Sequence, residues 1–237
     1  MTATTAPSVR VHNERLFYTG MAVAMALTVF VGFAPSYFLK AYFGGPPFNT
    51  LVHAHGAAFT AWFLLFFSQT ALIAARRTDV HRKLGVVGIA LALVLLILGI
   101  TTAIGAIRAG VAPPGIDPRS FLVFSFSDIV AFALFVGIGI SYRKQPETHK
   151  RLMLLATIPV LEPAITRLPG IFAFGPIAFF AVQGLFVLAG PVYDFASRRR
   201  VHPVYIWGGL FIVIMWPLRQ FISQTQLWLA FGDWLKG

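Results

Sequence analysis

The sequence predicts an all-α fold: a polytopic membrane helical bundle of seven spans, with the N-terminus inside and the C-terminus outside. Three observations predict it. Of 237 residues, 57% are apolar and 11% charged, whereas an ordinary soluble domain carries about 25% charged residues. The apolar residues gather into seven runs near the roughly 20-residue length that a helix needs to cross hydrocarbon. The basic residues, finally, fall on alternate loops.

That alternation fixes the orientation, because Lys and Arg next to a span are held on the cytoplasmic side. The N-terminal segment and the loops after the second, fourth and sixth runs hold Arg10, Arg15, Arg76, Arg77, Arg82, Lys83, Arg143, Lys144, Lys150, Arg151, Arg198, Arg199 and Arg200. The other side holds Lys40, Arg108, Arg119, Arg167, Arg219 and Lys236. A net charge of +11 would point to nucleic acid in a soluble protein, but here it is a topology signal, and no nucleic-acid partner is expected. The partner is a lipid bilayer, the bacterial inner membrane. No cysteine is present, which excludes disulfides, thiolate metal sites and cysteine nucleophiles.

Residues 1–15 are polar and read as a cytoplasmic segment. The run that follows, Leu16–Leu39, is too long for the roughly 7 to 15 apolar residues of a cleavable signal, so it reads as a retained first span. The next runs are Leu51–Ala75, Leu84–Ile107, Phe121–Tyr142, Leu152–Leu168, Ile177–Ser197 and Val204–Ile222. The fifth is the weakest, being short and carrying Pro159, Glu162 and Pro163. Turns such as AYFGGPPFNT and VAPPGIDPRS are rich in Gly and Pro, as helix connections are. Residues 16–224 thus form one seven-helix domain. In the tail, 225–237, Leu227, Trp228, Phe231, Trp234 and Leu235 recur at helical spacing, the pattern of an amphipathic interfacial helix.

A weak repeat runs through the basic loops: RRTDVHRKLG, RKQPETHKRLM and RRRVHPVYI each read as a basic cluster, a histidine, then a helix. His81, His149 and His202 therefore head the third, fifth and seventh spans, as in a parallel repeat of helical hairpins. The same pattern also suits any interfacial loop of a basic protein.

Three constellations bear on chemistry. His55, Trp62 and Gln69 are spaced by sevens and share one face of the second span, with His53 roughly opposite His55. His55 then heads a polar stripe toward the bundle interior, or is an ordinary interfacial histidine. Asp128 and Glu162 fall in the outer halves of their spans, at a depth similar to His55, Ser125, Arg167, Gln183, Arg219 and Gln220. Ionisable groups in a span are expensive and mark either a polar cavity or structural pairs such as Glu162 with Arg167 or Arg219. His81 and His149 begin alternate helices on one side, the placement that bis-histidine haem ligation needs, and equally that of wet headgroup-contacting residues.

HGAAFTAWFLLFFSQTALIAARRTDVHRKLG, from His55 to Gly85, resembles the first two core helices of the transmembrane b-type cytochromes that pass electrons from ascorbate to ferric iron. The shared pattern is a His-Gly helix start, a mid-helix Trp, an Ala-Arg end and a His-Arg start to the next helix. The resemblance matches His55, His81 and His149 to histidines of the first, second and fourth core helices. It implies haem b held between His81 and His149, and electron transfer. The third core helix departs, since Phe121–Tyr142 offers Ser125 and Asp128 but no histidine to partner His55. The whole chain also looks like a group of multi-pass bacterial membrane proteins with PETHKRLMLLA-type segments, for which no activity is established.

Two functions from other classes suit the same residues. One is a cofactor-free carrier, sensor or assembly factor whose outward cavity, built from Asp128, Glu162, Gln183, Arg167 and Arg219, binds a small polar molecule. The other is a metal-dependent hydrolase using His55, Asp128 and Glu162, although one histidine and two acids specify no particular metal site.

Overall fold

The computed structural model describes residues 7–45, 47–113 and 115–237, so residues 1–6 of the expected cytoplasmic segment lie outside the described residues. Every regular element among the described residues is helical. The long helices are α1 (Pro7–Phe33), α2 (Thr50–Ala74), α3 (Thr78–Arg108) and α4 (Pro118–Ser141), followed by the shorter α5 (Pro146–Thr157). Then come α6 (Pro176–Arg198), α7 (Pro203–Ile222) and α8 (Gln226–Lys236). Six of these, α1 to α4, α6 and α7, are long and apolar enough to cross a membrane. Helix α1 begins at Pro7, so the polar residues before Leu16 are its first turns.

The fifth apolar run, expected as a single span, is not one long helix. α5 stops at Thr157, a 3-10 turn covers Pro159–Leu161, and one α-turn covers Glu162–Ile165. Pro159 and Pro163 account for the break, because each lacks the N–H of the helical ladder and clashes with the preceding turn. The segment is buried nonetheless: Leu152, Leu154, Leu155, Ala156, Ile158, Leu161 and Ile165 are fully shielded.

Helix starts follow local chemistry. Asn49 precedes α2, and its side chain accepts from Val52 N–H at 2.9 Å. Asp117 caps α4 by accepting from Arg119 N–H at 2.8 Å, with Pro118 at the first helical position.

The chain divides into two compact units. The first comprises Met1–Pro46, Ala58–Ala92 and Leu161–His202. In it α1 runs antiparallel to α6. Phe17 stacks on Tyr193 at 4.2 Å between ring centroids, and Glu14 is ion-paired with Arg198, while the far end of α1 meets the Glu162–Ile165 turn. Gly32 makes that approach possible: a methyl group there would lie 2.9 Å from the carbonyl carbon of Ala164.

The second unit comprises Pro47–Ala57, Leu93–Val160 and Pro203–Gly237, and centres on α4, α5 and α7. Gly208 lets α7 close on its neighbours, since a Cβ there would lie 2.5 Å from Leu155 Cδ1 and 3.2 Å from the Phe135 ring. Helix α8 packs Leu235, Trp228 and Phe231 against Ala103 and Ile107 of α3 and Leu122 and Phe126 of α4.

Candidate functional site

The polar residues expected in one outward cavity divide between the units: Asp128 and Arg219 belong to the second, Glu162, Arg167 and Gln183 to the first. Asp128 and Arg219 are brought together. Arg219 Nη1 donates to Asp128 Oδ1 at 3.1 Å, with the two side chains 2% and 13% exposed. The face of Phe124 lies 4.9 Å from the Arg219 guanidinium carbon, a cation–π contact made where little water competes.

Helical periodicity builds this seam. At about 100° per residue, Ser120, Phe124, Ser127 and Asp128 fall within one arc of α4. On α7, Arg219 stands two residues after Pro217, which withdraws an N–H from the helix interior just before the charge. Ser120 Oγ donates to Ser223 O at 3.0 Å, Ser127 Oγ to Phe124 O at 2.9 Å, and Ser223 Oγ to Gln220 O at 2.7 Å. Of the residues expected at the depth of Asp128 and Glu162, Ser125 is half-buried and Gln220 exposed, while the buried serine hydroxyls along this seam are those of Ser120, Ser127 and Ser223. Carrying the α4 arc back to Ser120, and adding the i+4 neighbour Ser223 to Arg219, would have found them.

In the first unit Gln183 is 2% exposed and Glu162 half-buried in the turn after the break. Arg167 donates to Pro163 O at 2.7 Å and lies over the Phe33 ring at 5.0 Å, so its guanidinium supports the end of α1. Asp194, 1% exposed, accepts from His202 N–H at 3.1 Å.

The histidines separate clearly. His53 is exposed beside Phe48, and His55 is half-buried on the stripe with buried Trp62, as the spacing predicts. His149 Nδ1 lies 2.7 Å from Gly139 O; a carbonyl only accepts, so Nδ1 carries a proton, and in the neutral tautomer the lone pair is on Nε2. His81 is held the other way. Gly85 N–H, a donor, faces the Gln69 amide at 3.0 Å, which places the amide oxygen there and the amide nitrogen 2.7 Å from His81 Nδ1 and 3.2 Å from His81 O. His81 Nδ1 therefore accepts, and a neutral His81 carries its proton on Nε2.

A histidine that binds iron through Nε2 holds its proton on Nδ1, commonly against a backbone carbonyl. His149 Nδ1–H meets a backbone carbonyl in this way, whereas His81 Nδ1 accepts from Gln69. Among the described residues, no three His, Asp or Glu side chains converge as a metal site would need.

A cleft of about 310 Å³ opens under α8, lined by Ile107, Asp117, Pro118, Arg119, Asp233 and Lys236, without Asp128 or Arg219. Arg119 bridges Asp117 at 2.7 Å and Asp233 at 3.0 Å, and its backbone carbonyl accepts from Trp228 Nε1 at 2.9 Å. The Arg119 guanidinium holds the Asp117 carboxyl below its usual range. These contacts tie α8 to α4 and account for the cleft as a docking seam.

No protein family, curated protein or solved structure matches the chain.

Proposed function

We propose that the chain is a seven-crossing inner-membrane protein, N-terminus in the cytoplasm, that works without a cofactor as a carrier or sensor of a small polar solute. The observation that carries this is the Asp128–Arg219 pair. Charges inside a span are costly, and a hydrophobic pair of similar volume often gives an equal or better-packed core. A pair kept despite that cost suits exchange, in which a solute carboxylate or similar group competes with Asp128 for the Arg219 guanidinium.

Parity supports the seventh crossing. Glu14 at the start of α1 is paired with Arg198 at the end of α6, so the chain enters and leaves this stretch on one face. The long helices from α1 to α6 number five, an odd count, and the broken segment 146–165 supplies the missing crossing. The basic loops put the shared face in the cytoplasm.

The test is a thermal-shift panel of small carboxylates, amines, sugars and nucleosides on purified protein. At least one class raises the melting temperature of wild type, and the rise is lost in Asp128→Asn/Arg219→Gln, which removes both charges. A panel without effect, or an equal rise in the double variant, overturns the proposal.

A second reading, haem binding, is favoured by the His149 Nδ1–H contact to Gly139 O. Haem would supply electron transfer when bound. A Soret band that disappears in His149→Ala supports it; colourless protein after haem-supplemented expression refutes it.

A further inference from the structure

Among the described residues, the non-glycine residues with positive φ are Arg76 (61°) and Arg199 (56°). Both occupy a similar place in the recurring basic loop: just past the end of a long apolar helix, followed by a second arginine and then by a histidine, His81 in the first turn of α3 and His202 immediately before α7. Both belong to the first unit.

The geometry at each is that of a left-handed helix cap. After α2, Arg76 N–H donates to Ile73 O at 3.1 Å and Arg77 N–H to Leu72 O at 2.8 Å. After α6, Arg199 N–H donates to Phe195 O at 2.9 Å. Glycine is the usual residue here, because an L side chain is strained at positive φ. The same chain uses glycine for the matching cap at the other end of its hairpin: after α3, Gly110 (φ 67°) donates to Ile107 O at 3.1 Å, and Val111 N–H to Ala106 O at 2.9 Å. Two caps of one kind, one with glycine and one with arginine, show that the turn itself does not require arginine.

Charge and exposure say what the arginine does. Arg76, Arg82, Lys83, Arg199 and Arg200 are exposed and, among the described residues, form no ion pair, whereas Arg77 is paired with Asp79 at 3.3 Å. Each strained arginine thus stands at the end of a helix long and apolar enough to cross a membrane, where such a helix would meet the headgroups, beside further cations that form no ion pair among the described residues. We infer that the two arginine turns are binding points for the phosphates of anionic phospholipid headgroups. The planar guanidinium fork takes a phosphate by paired hydrogen bonds, which a lysine or an uncharged cap does not reproduce.

The experiment uses the full chain in nanodiscs of phosphatidylcholine, with and without phosphatidylglycerol, and reads the melting temperature. Phosphatidylglycerol raises the wild-type value. In Arg76→Gly/Arg199→Gly that rise falls by about 2 to 4 °C per arginine, while the melting temperature in phosphatidylcholine alone is unchanged or higher, since the strain is relieved. Arg143→Gln, an exposed arginine in the α4–α5 turn, keeps most of the rise. Inorganic phosphate in place of phosphatidylglycerol does not reproduce it. Retention of the full rise by the glycine variant, or an equal loss in Arg143→Gln, overturns the inference. If the glycine variant melts below wild type in phosphatidylcholine, Arg76→Gln/Arg199→Gln decides on the same criterion.

Discussion

Arg219 is 2% exposed and ion-paired with Asp128. Asp128→Asn takes a carboxylate away from a buried guanidinium and is expected to cost about 3 to 5 kcal/mol of stability. Asp128→Asn/Arg219→Gln removes both charges and is expected to recover most of that loss, as thermal melts of the variants in one detergent will show. Both residues were legible in the sequence, because a charge inside an apolar run is conspicuous. Their hydroxyl companions were not, since Ser120, Ser127 and Ser223 are common on helices and only the packing of α4 against α7 singles them out. His81 was legible as a special position but not in its role: nothing local in the chain says that Gln69, twelve residues earlier on the preceding helix, holds its Nδ1.

Close approaches and breaks decide matters at the scale of elements. Gly32→Ala would drive a methyl group into the Ala164 carbonyl, and backbone cannot swing aside as a side chain can. The variant is expected to lose about 1 to 3 kcal/mol, a larger loss than Gly20→Ala, where a methyl meets nothing within 4 Å. Helix α8 has its own lever. Asp117 has its pKa lowered by Arg119, so its ionised form favours the folded state. That contribution is fully present above the ordinary aspartate value of 3.8 and is lost as pH falls through the lower, folded value. Trp228, bonded to the Arg119 carbonyl, is expected to report the loosening as a fluorescence change on acidification. Asp117→Asn is expected to remove the part of that change that follows Asp117. Prolines in the fifth run announced a weak span, yet that the broken course of α5, 3-10 turn and α-turn is fully shielded at Leu155, Ile158 and Leu161 is not something a one-dimensional hydropathy pattern carries.

For the whole molecule, the all-helical class and the membrane-spanning character followed from composition and run length alone, and six of the seven expected runs became long helices. The count of crossings rests on the broken segment, and it is testable because the chain has no native cysteine. Single cysteines placed at Gln145 and Gly170, which flank that segment, are expected to react with impermeant maleimide from opposite sides of the membrane. Labelling from one side only would return the chain to six crossings. The central claim is that a small solute is bound by the Asp128–Arg219 pair, and calorimetric titration tests it most directly, using the solute class that stabilises the protein in the thermal panel. Saturable one-site binding to wild type, absent from Asp128→Asn/Arg219→Gln, is the predicted result; equal binding to both proteins would contradict it.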